Sequence, residues 1–507
     1  MRASGILMPV FSLPGPYGIG CFSREAYSFV DFLEKSGQRY WQILPIGPTG
    51  YGDSPYQSFS TFAGNPYFID LETLIGRGLL ERGECGRIYG GIQAGRVDYG
   101  LMYSTRIEIL KKAYLRWKDS GICRDDAAAF AAFKEKNSYW IYDYCMFMAL
   151  KEHCGGAPFQ RWDAGIRYRE HDALARAGEE LADEIGFHEY IQFEFERQWL
   201  ELKAYANRKN ISIIGDIPIY VSSDSADFWA APEMFRVGPD NMPTAVAGVP
   251  PDGFSADGQV WGNPLYNWEK HKASGYDWWL RRMGRCRELY DVIRIDHFRG
   301  FDEYFCVPPD AGTAAEGRWE KGPGIELFTK IKSSFPGIRI IAEDLGYMSD
   351  SVKKLVADTG FPNMKILEFA FDSRDEEDKE PHMPYSYDQN CVVYTGTHDN
   401  ETLTEWMSNI LPAEKKKLQD YLWTDSGDAG VLTDRAIRLL QSSHAVLCMI
   451  PIWDWLGLGS EARINRPGTC SGSWTWRAEE DMFTGELAER MLHIASLYGR
   501  TEGGAGH

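Results

Sequence analysis

"YDVIRIDHFRG", from Tyr290 to Gly300, begins as a core strand and ends in charge. Val292, Ile293 and Ile295 are β-branched and suit a pleated, buried surface, yet Arg294, Asp296 and His297 fall in the same few positions. Burying charge without a partner costs about several kcal/mol. The three ionisable groups therefore either satisfy one another as structure or serve chemistry at the end of the strand. The period of two puts Val292, Arg294 and Asp296 on one face and Ile293, Ile295 and His297 on the other.

Outward from this stretch, apolar β-rich runs that end in polar residues or glycine recur. They span 39–48, 65–71, 211–221, 291–298, 338–346, 364–372, 391–400 and 445–457, eight in all. Helix-like segments such as "GIELFTKIKSSF" (324–335), "SDSVKKLVADTG" (349–360) and "PAEKKKLQDYLW" (412–423) lie between the later ones. Eight alternating units predict an α/β fold, a (β/α)8 TIM barrel, with its site on the loops at the C-terminal strand ends. The reading is of one catalytic barrel over 1–507 with two insertions. Residues 72–210 carry helical periodicity and are expected to form a mostly helical subdomain. Residues 222–268, rich in Pro, Gly and aromatics, are expected to form an active-site loop region, since structureless stretches of that length are usually functional. About 50 residues follow the last run, too few for an appended C-terminal β-sandwich of ~100 residues.

Composition narrows the function. The chain has 507 residues, 44% apolar and 14% aromatic, enough for a large core. A net charge of -19 and the lack of a basic block argue against nucleic acid. "MRASGILMPVFSLPG" (1–15), interrupted at Pro9, does not read as a signal peptide. The longest apolar run, 445–459, contains Pro451 and Asp454 and is shorter than the roughly 18 to 20 residues of a membrane span. A cytoplasmic protein with no membrane partner is expected. The ten cysteines form no C-x-x-C pair and no His-spaced cluster, so reduced core thiols are expected. The 17 Trp and 27 Tyr suit sugar faces as well as cores, and composition does not choose between them.

Carboxylates sit at four strand ends: Asp216 in "GDIPIYV", Asp296 in "IRIDHFRG", Glu343 in "IIAEDLG" and Asp399 in "TGTHDNET". Cleaving an acetal takes one carboxylate at the anomeric carbon and one protonated acid on the leaving oxygen. Arg294 on the same face favours an ionised Asp296, whereas Glu343 has no neighbouring cation in sequence and is free to hold its proton. Taken singly, each acid reads first as a helix N-cap, a loop hydrogen-bonder or a core ion pair, and only their joint occurrence on successive strands favours chemistry. His297 and His398 with these carboxylates offer a weaker metal reading, without H-x-H or H-x-x-x-H spacing to support it.

In these same motifs the chain resembles the 4-alpha-glucanotransferases called amylomaltase or disproportionating enzyme, in the alpha-amylase clan. The resemblance runs nearly end to end through "YWQILPIGPTGYGDSPYQSFSTFAGNPYFIDL", "GDIPIYV", "GQVWGNPLY", "VIRIDHFRG", "AEDLG", "TGTHDNET" and "RINRPGT", in that order. It implies that Asp296 is the nucleophile, Glu343 the acid/base and Asp399 the carboxylate that grips the sugar. It further implies that Arg294, His398 and Asp216 neighbour that sugar and that Tyr56, Gln259, Trp261 and Asn465 touch the glucan. The implied activity is transfer of alpha-1,4-glucan segments from a donor maltooligosaccharide or amylose to glucose or a glucan acceptor, by a retaining double displacement and without metal or organic cofactor. Barrel and carboxylates alone leave an alpha-1,4-glucan hydrolase of the alpha-amylase kind as the alternative. Within 72–210 few motifs beyond "VDYG" (97–100) match the family pattern. Tyr56 and Trp261 lie in Gly/Pro-rich loops, where a large ring serves equally as a sugar platform or as a plug over the core. Asn465 in "NRPG" is also an ordinary turn residue.

Overall fold

The computed structural model describes residues 2–50, 52–89, 94–251, 257–346, 348–373, 379–469 and 472–501. Twelve strands are described, in chain order. They are β1 (Ala3–Leu7), β2 (Tyr40–Gln42), β3 (Ser212–Pro218), β4 (Val246–Val249), β5 (Gln259–Pro264), β6 (Val292–Asp296), β7 (Glu303–Val307), β8 (Arg318–Lys321), β9 (Ile340–Ala342), β10 (Asn363–Ile366), β11 (Cys391–Tyr394) and β12 (Leu447–Pro451). Eight of them close a barrel in the order β1-β12-β11-β10-β9-β6-β3-β2, every pairing parallel. The chain is a (β/α)8 TIM barrel.

Three of the expected eight strands are corrected. Residues 65–71 are not a strand: Pro66 starts a 3-10 helix, Pro66–Phe68, whose first turn is capped by the Asn65 side chain accepting the Tyr67 N–H. Asp70 then caps helix Leu71–Gly76 by accepting from the amides of Glu72 and Thr73. Side chains that bond their own following backbone favour a cap over a sheet ladder, and they prevail here over an apolar run. The eighth barrel strand is instead β1, at the N-terminus, hydrogen-bonded between β12 and β2. The runs 364–372 and 445–457 are also split, their strands stopping at Ile366 and Pro451 and short helices, Leu367–Phe371 and Ile452–Trp455, following.

The barrel lumen holds an apolar layer of Ile214, Val292, Ile341, Met364, Ile366, Val392, Tyr394, Leu447 and Met449. Val292 shares its strand face with Arg294 and Asp296, so the lumen turns from apolar to charged toward the C-terminal end of the strands. Between β2 and β3 the chain forms helices, among them Tyr99–Asp119, Ile122–Lys136, Ile141–His153 and the 27-residue Ala182–Arg208. The last of these packs on the first three and on β3. The remaining strands form a separate antiparallel sheet in the order β5-β4-β7-β8, and β5 carries Gln259 and Trp261.

The nine described cysteines are free. No described helix is long and apolar enough to cross a membrane.

Candidate active site

The charged face of β6 meets β3 in register, Asp216 opposite Arg294. Arg294 Nη1 donates to both oxygens of Asp216, at 2.7 and 2.6 Å, and to Asp296 Oδ1 at 2.9 Å. Asp216 is fully buried and Arg294 is 3% exposed, so each satisfies the other where water cannot. The bonds to two carboxylates hold Arg294 cationic, well above its ordinary value, although burial opposes the charge. Tyr56 donates its hydroxyl to Asp216 Oδ2 at 2.8 Å. Burial first, and then the Asp216 charge, push that phenol well above the usual range, so it remains a donor.

β6 ends at Asp296, and the next residue turns the chain sharply. His297 adopts a left-handed backbone, φ 53°, uncommon for a residue with a β-carbon. The turn aims the His297 N–H at Glu343 Oε2, 2.6 Å away, while Glu343 Oε1 accepts the Leu345 N–H at 2.8 Å. Glu343, at the end of β9, is thereby fixed beside Asp296 by two backbone donors. Those donors favour the ionised form, yet burial, the largest effect, and the charge on Asp296 outweigh them and raise Glu343 to about 8. Asp296 is pushed up to about 6 by burial, against the pull of Arg294. Its side chain keeps 29% of its surface open and contacts the guanidinium directly, so of the two acids Asp296 ionises first.

Asp399 follows β11 and is half exposed. Asn465 Nδ2 donates to its Oδ1 at 2.6 Å, and His398 Nε2 lies 3.4 Å from its Oδ2. The buried His398 ring stacks on Tyr56 with centroids 5.1 Å apart and planes at 15°. On the other wall, the Trp261 indole N–H donates to Gln259 Oε1 at 3.1 Å, and its ring meets that of His297 edge-on at 4.8 Å. Asp216, Arg294, Asp296, Tyr56, His398, Asp399 and Asn465 are thus linked in one constellation. Glu343 joins it through the His297 amide, and Gln259 with Trp261 joins it through the His297 ring.

Two members escaped the sequence reading. Trp474 packs 5.9 Å from both Tyr56 and His398, and Tyr220 lies 6.3 Å from Trp261. Trp474 sits in a Gly/Ser-rich loop at φ 64°, and nothing in its local sequence marks it apart from other aromatics. Tyr220 stands within the Asp216 motif "GDIPIYV" itself, and that position is the signal that was available. Among the described residues no group of three or more His, Cys, Asp or Glu side chains is arranged to hold a metal ion. The arrangement offers an ionisable nucleophile, a carboxyl held near neutrality, and a third carboxylate about the same space, which is the equipment of acetal chemistry.

Comparison with known proteins agrees with that chemistry. The family model described as 4-alpha-glucanotransferase matches residues 8–482. A 4-alpha-glucanotransferase of Thermus thermophilus is 47% identical over 496 residues, covering 96% of each chain. One of Clostridium butyricum is 44% identical over 500 residues, covering 98% of this chain and all of the relative. The solved amylomaltase of Streptococcus agalactiae, in complex with acarbose, superposes with a TM-score of 0.95 at 41% identity, covering 99% of this chain and 100% of the other.

Proposed function

The chain belongs to the 4-alpha-glucanotransferase family and carries its transferase activity on alpha-glucans, and from that premise we propose that it works by a retaining double displacement with Asp296 as nucleophile and Glu343 as acid/base. In the first step Glu343 gives its proton to the glycosidic oxygen while Asp296 attacks the anomeric carbon. The C–O bond breaks, the reducing-end piece leaves with the proton, and a glycosyl ester forms. Asp296 Oδ1 is engaged by Arg294, which leaves Oδ2 to attack. In the second step the ionised Glu343 takes a proton from an acceptor hydroxyl, whose oxygen displaces Asp296 and restores the original anomeric configuration.

The remaining residues divide by position. Asp399, steadied by Asn465 and His398, grips hydroxyls of the reacting sugar. Asp216 and Arg294 set the charge of the nucleophile, and Tyr56, stacked on His398, forms the floor beneath the ring. Gln259 and Trp261 receive the acceptor. Donors are maltooligosaccharides or amylose, and glucose serves as an acceptor. Acarbose, bound in the solved relative, is expected to compete with donor.

The observation that carries this reading is the pairing of an Arg294-bound Asp296 with a Glu343 held by two backbone amides and raised to about 8. The test uses the Glu343→Gln protein with α-maltotriosyl fluoride, whose leaving group needs no proton. The ester should accumulate and be found by intact mass and peptide mapping on Asp296. A label on another carboxylate, or none at any time point while fluoride is released, overturns the mechanism.

A further inference from the structure

The loop 395–402 joins β11 to helix Leu403–Asn409 and carries His398 and Asp399. Two buried carboxyl groups from other strand ends hold it. Asp454, 1% exposed, accepts the Thr395 hydroxyl through Oδ2 at 2.6 Å and the Leu403 N–H through Oδ1 at 2.8 Å, so one side chain ties the first residue of the loop to the first residue of the helix that follows it. Glu368, 4% exposed, accepts Asn400 Nδ2 through Oε2 at 3.0 Å. Asn400 in turn accepts the Thr397 N–H at 2.8 Å and the Thr397 hydroxyl at 2.9 Å, and that same hydroxyl oxygen accepts the Asp399 N–H at 3.3 Å. A β-carbon on Gly396 would stand 2.7 Å from Glu368 Oε1, so the glycine is what lets the carboxyl lie against the loop backbone.

Two acids buried close together are a costly way to fill space. Burial, with the Asp454 and Glu401 charges, pushes Glu368 well above the carboxylate range, and burial pushes Asp454 to about 7. Apolar side chains of similar size would fill the same volume more cheaply. What these carboxyls supply and apolar groups do not is hydrogen-bond direction at three points of one loop.

We propose that Glu368 and Asp454 are positioning residues whose bonds to Asn400, Thr395 and Leu403 fix the place of Asp399 and His398 at the reacting sugar. This rests on the role given to Asp399 above. A misplacement of about 1 Å in such a group costs on the order of 100-fold in rate, so the loss is large enough to measure.

The test compares apolar with conservative variants. Glu368→Met and Asp454→Leu remove the acceptors, and kcat should fall about 10- to 100-fold with a smaller change in KM. Glu368→Gln keeps an acceptor for Asn400. Asp454→Asn keeps one for Leu403 and can donate to the Thr395 hydroxyl, so both should recover kcat to within about threefold of wild type. Asn400→Ala cuts the Glu368 bridge without altering a buried carboxyl and should repeat the Glu368→Met loss, which keeps the proposal open to failure even where a core variant does not fold. The same substitutions are then placed in Asp399→Asn, with α-maltotriosyl fluoride as donor. Residues that act through Asp399 should cost less than about threefold there, because effects on a common group do not add. Undiminished kcat in Glu368→Met, Asp454→Leu and Asn400→Ala overturns the proposal. So does a full, additive loss in the Asp399→Asn background, which would mark the two acids as general support for the fold. An Asp399→Asn protein as active as wild type overturns instead the reading of Asp399, and the positioning role falls with it.

Discussion

At the scale of single residues, the charged end of β6 is explained by the pairs it makes. Arg294 and Asp296 face the lumen as the period of two requires, and the partner that pairs with Arg294, Asp216, comes from the neighbouring strand. The first part was legible from one strand's sequence. The second was not, because the register between strands far apart in the chain is a property of the closed barrel. The left-handed His297 was also out of reach, since a run of residues does not announce its φ. The resulting acid pair predicts a bell-shaped pH profile for kcat/KM. The pair titrates as a unit with apparent values near 6 and 8. The active form has lost one proton, from Asp296, and kept the other, on Glu343. Activity should therefore rise as pH passes about 6 and fall as it passes about 8. A flat profile between pH 5 and 9, all of it within the stable range of the protein, would contradict the assignment. The Asp296 charge is the second cause of the Glu343 shift, so Asp296→Asn should lower the Glu343 titration from about 8 while leaving it above the ordinary range, because burial, the larger cause, persists. Carboxyl-carbon NMR of a Glu-labelled chain, with Glu343→Gln to assign the signal, reads this directly. An unmoved titration would mean that the two carboxyls do not interact.

At the scale of elements, the sequence yielded eight strands and a barrel, but the set of eight was wrong by one exchange. "NPYFIDL" carried the apolar content of a strand together with two cap signals, Asn65 before Pro66 and Asp70 before a helical run, and the caps prevailed. β1 is hard to read from sequence: "ASGIL" is short and has a glycine at its centre, which weakens a strand in isolation. In the barrel that glycine is required by its neighbours. A β-carbon at Gly5 would stand 2.5 Å from Met449 Sδ on β12 and 2.7 Å from Tyr40 Cβ on β2. Closure between first and last strands therefore depends on the absence of a side chain, a fact visible only from both sides at once. Gly5→Val should cost roughly 1–3 kcal/mol by overpacking, read as an earlier midpoint in thermal or urea unfolding. Gly83, in helix Arg82–Tyr89 with nothing within 4 Å of its missing β-carbon, is the contrasting site. Gly83→Ala should be neutral or stabilise by about 0.5–1 kcal/mol. Equal responses at the two glycines would show that β1 does not close the barrel as tightly as the distances state.

At the scale of the whole molecule, a second layer meets the barrel mouth. The antiparallel sheet β5-β4-β7-β8 is built from segments on both sides of β6, and it presents Trp261 edge-on to His297, the residue whose amide holds Glu343. In the sequence Trp261 stands in a long Pro- and Gly-rich stretch between β3 and β6. The sheet was not legible there, because two of its strands, β7 and β8, lie beyond the strand end that carries Asp296. This placement gives Trp261 two uses in the proposed reaction, as a face for the incoming sugar and as a wall that keeps water from the glycosyl ester. Removing a stacked ring costs roughly 1–3 kcal/mol, or about 5- to 150-fold in use of the acceptor. Water has no ring to stack and loses no such contact. Trp261→Ala should therefore raise hydrolysis relative to transfer when maltotriose is both donor and acceptor, even as total turnover falls. Tyr56→Ala should behave otherwise, because Tyr56 bonds Asp216 and stacks on His398 beneath the reacting centre, and its loss should lower both reactions together. The measurement is glucose released against longer maltooligosaccharides formed, for each variant. If Trp261→Ala keeps the wild-type ratio and only its stability falls, the ring is a plug between sheet and barrel, and acceptor selection lies with other groups around the mouth.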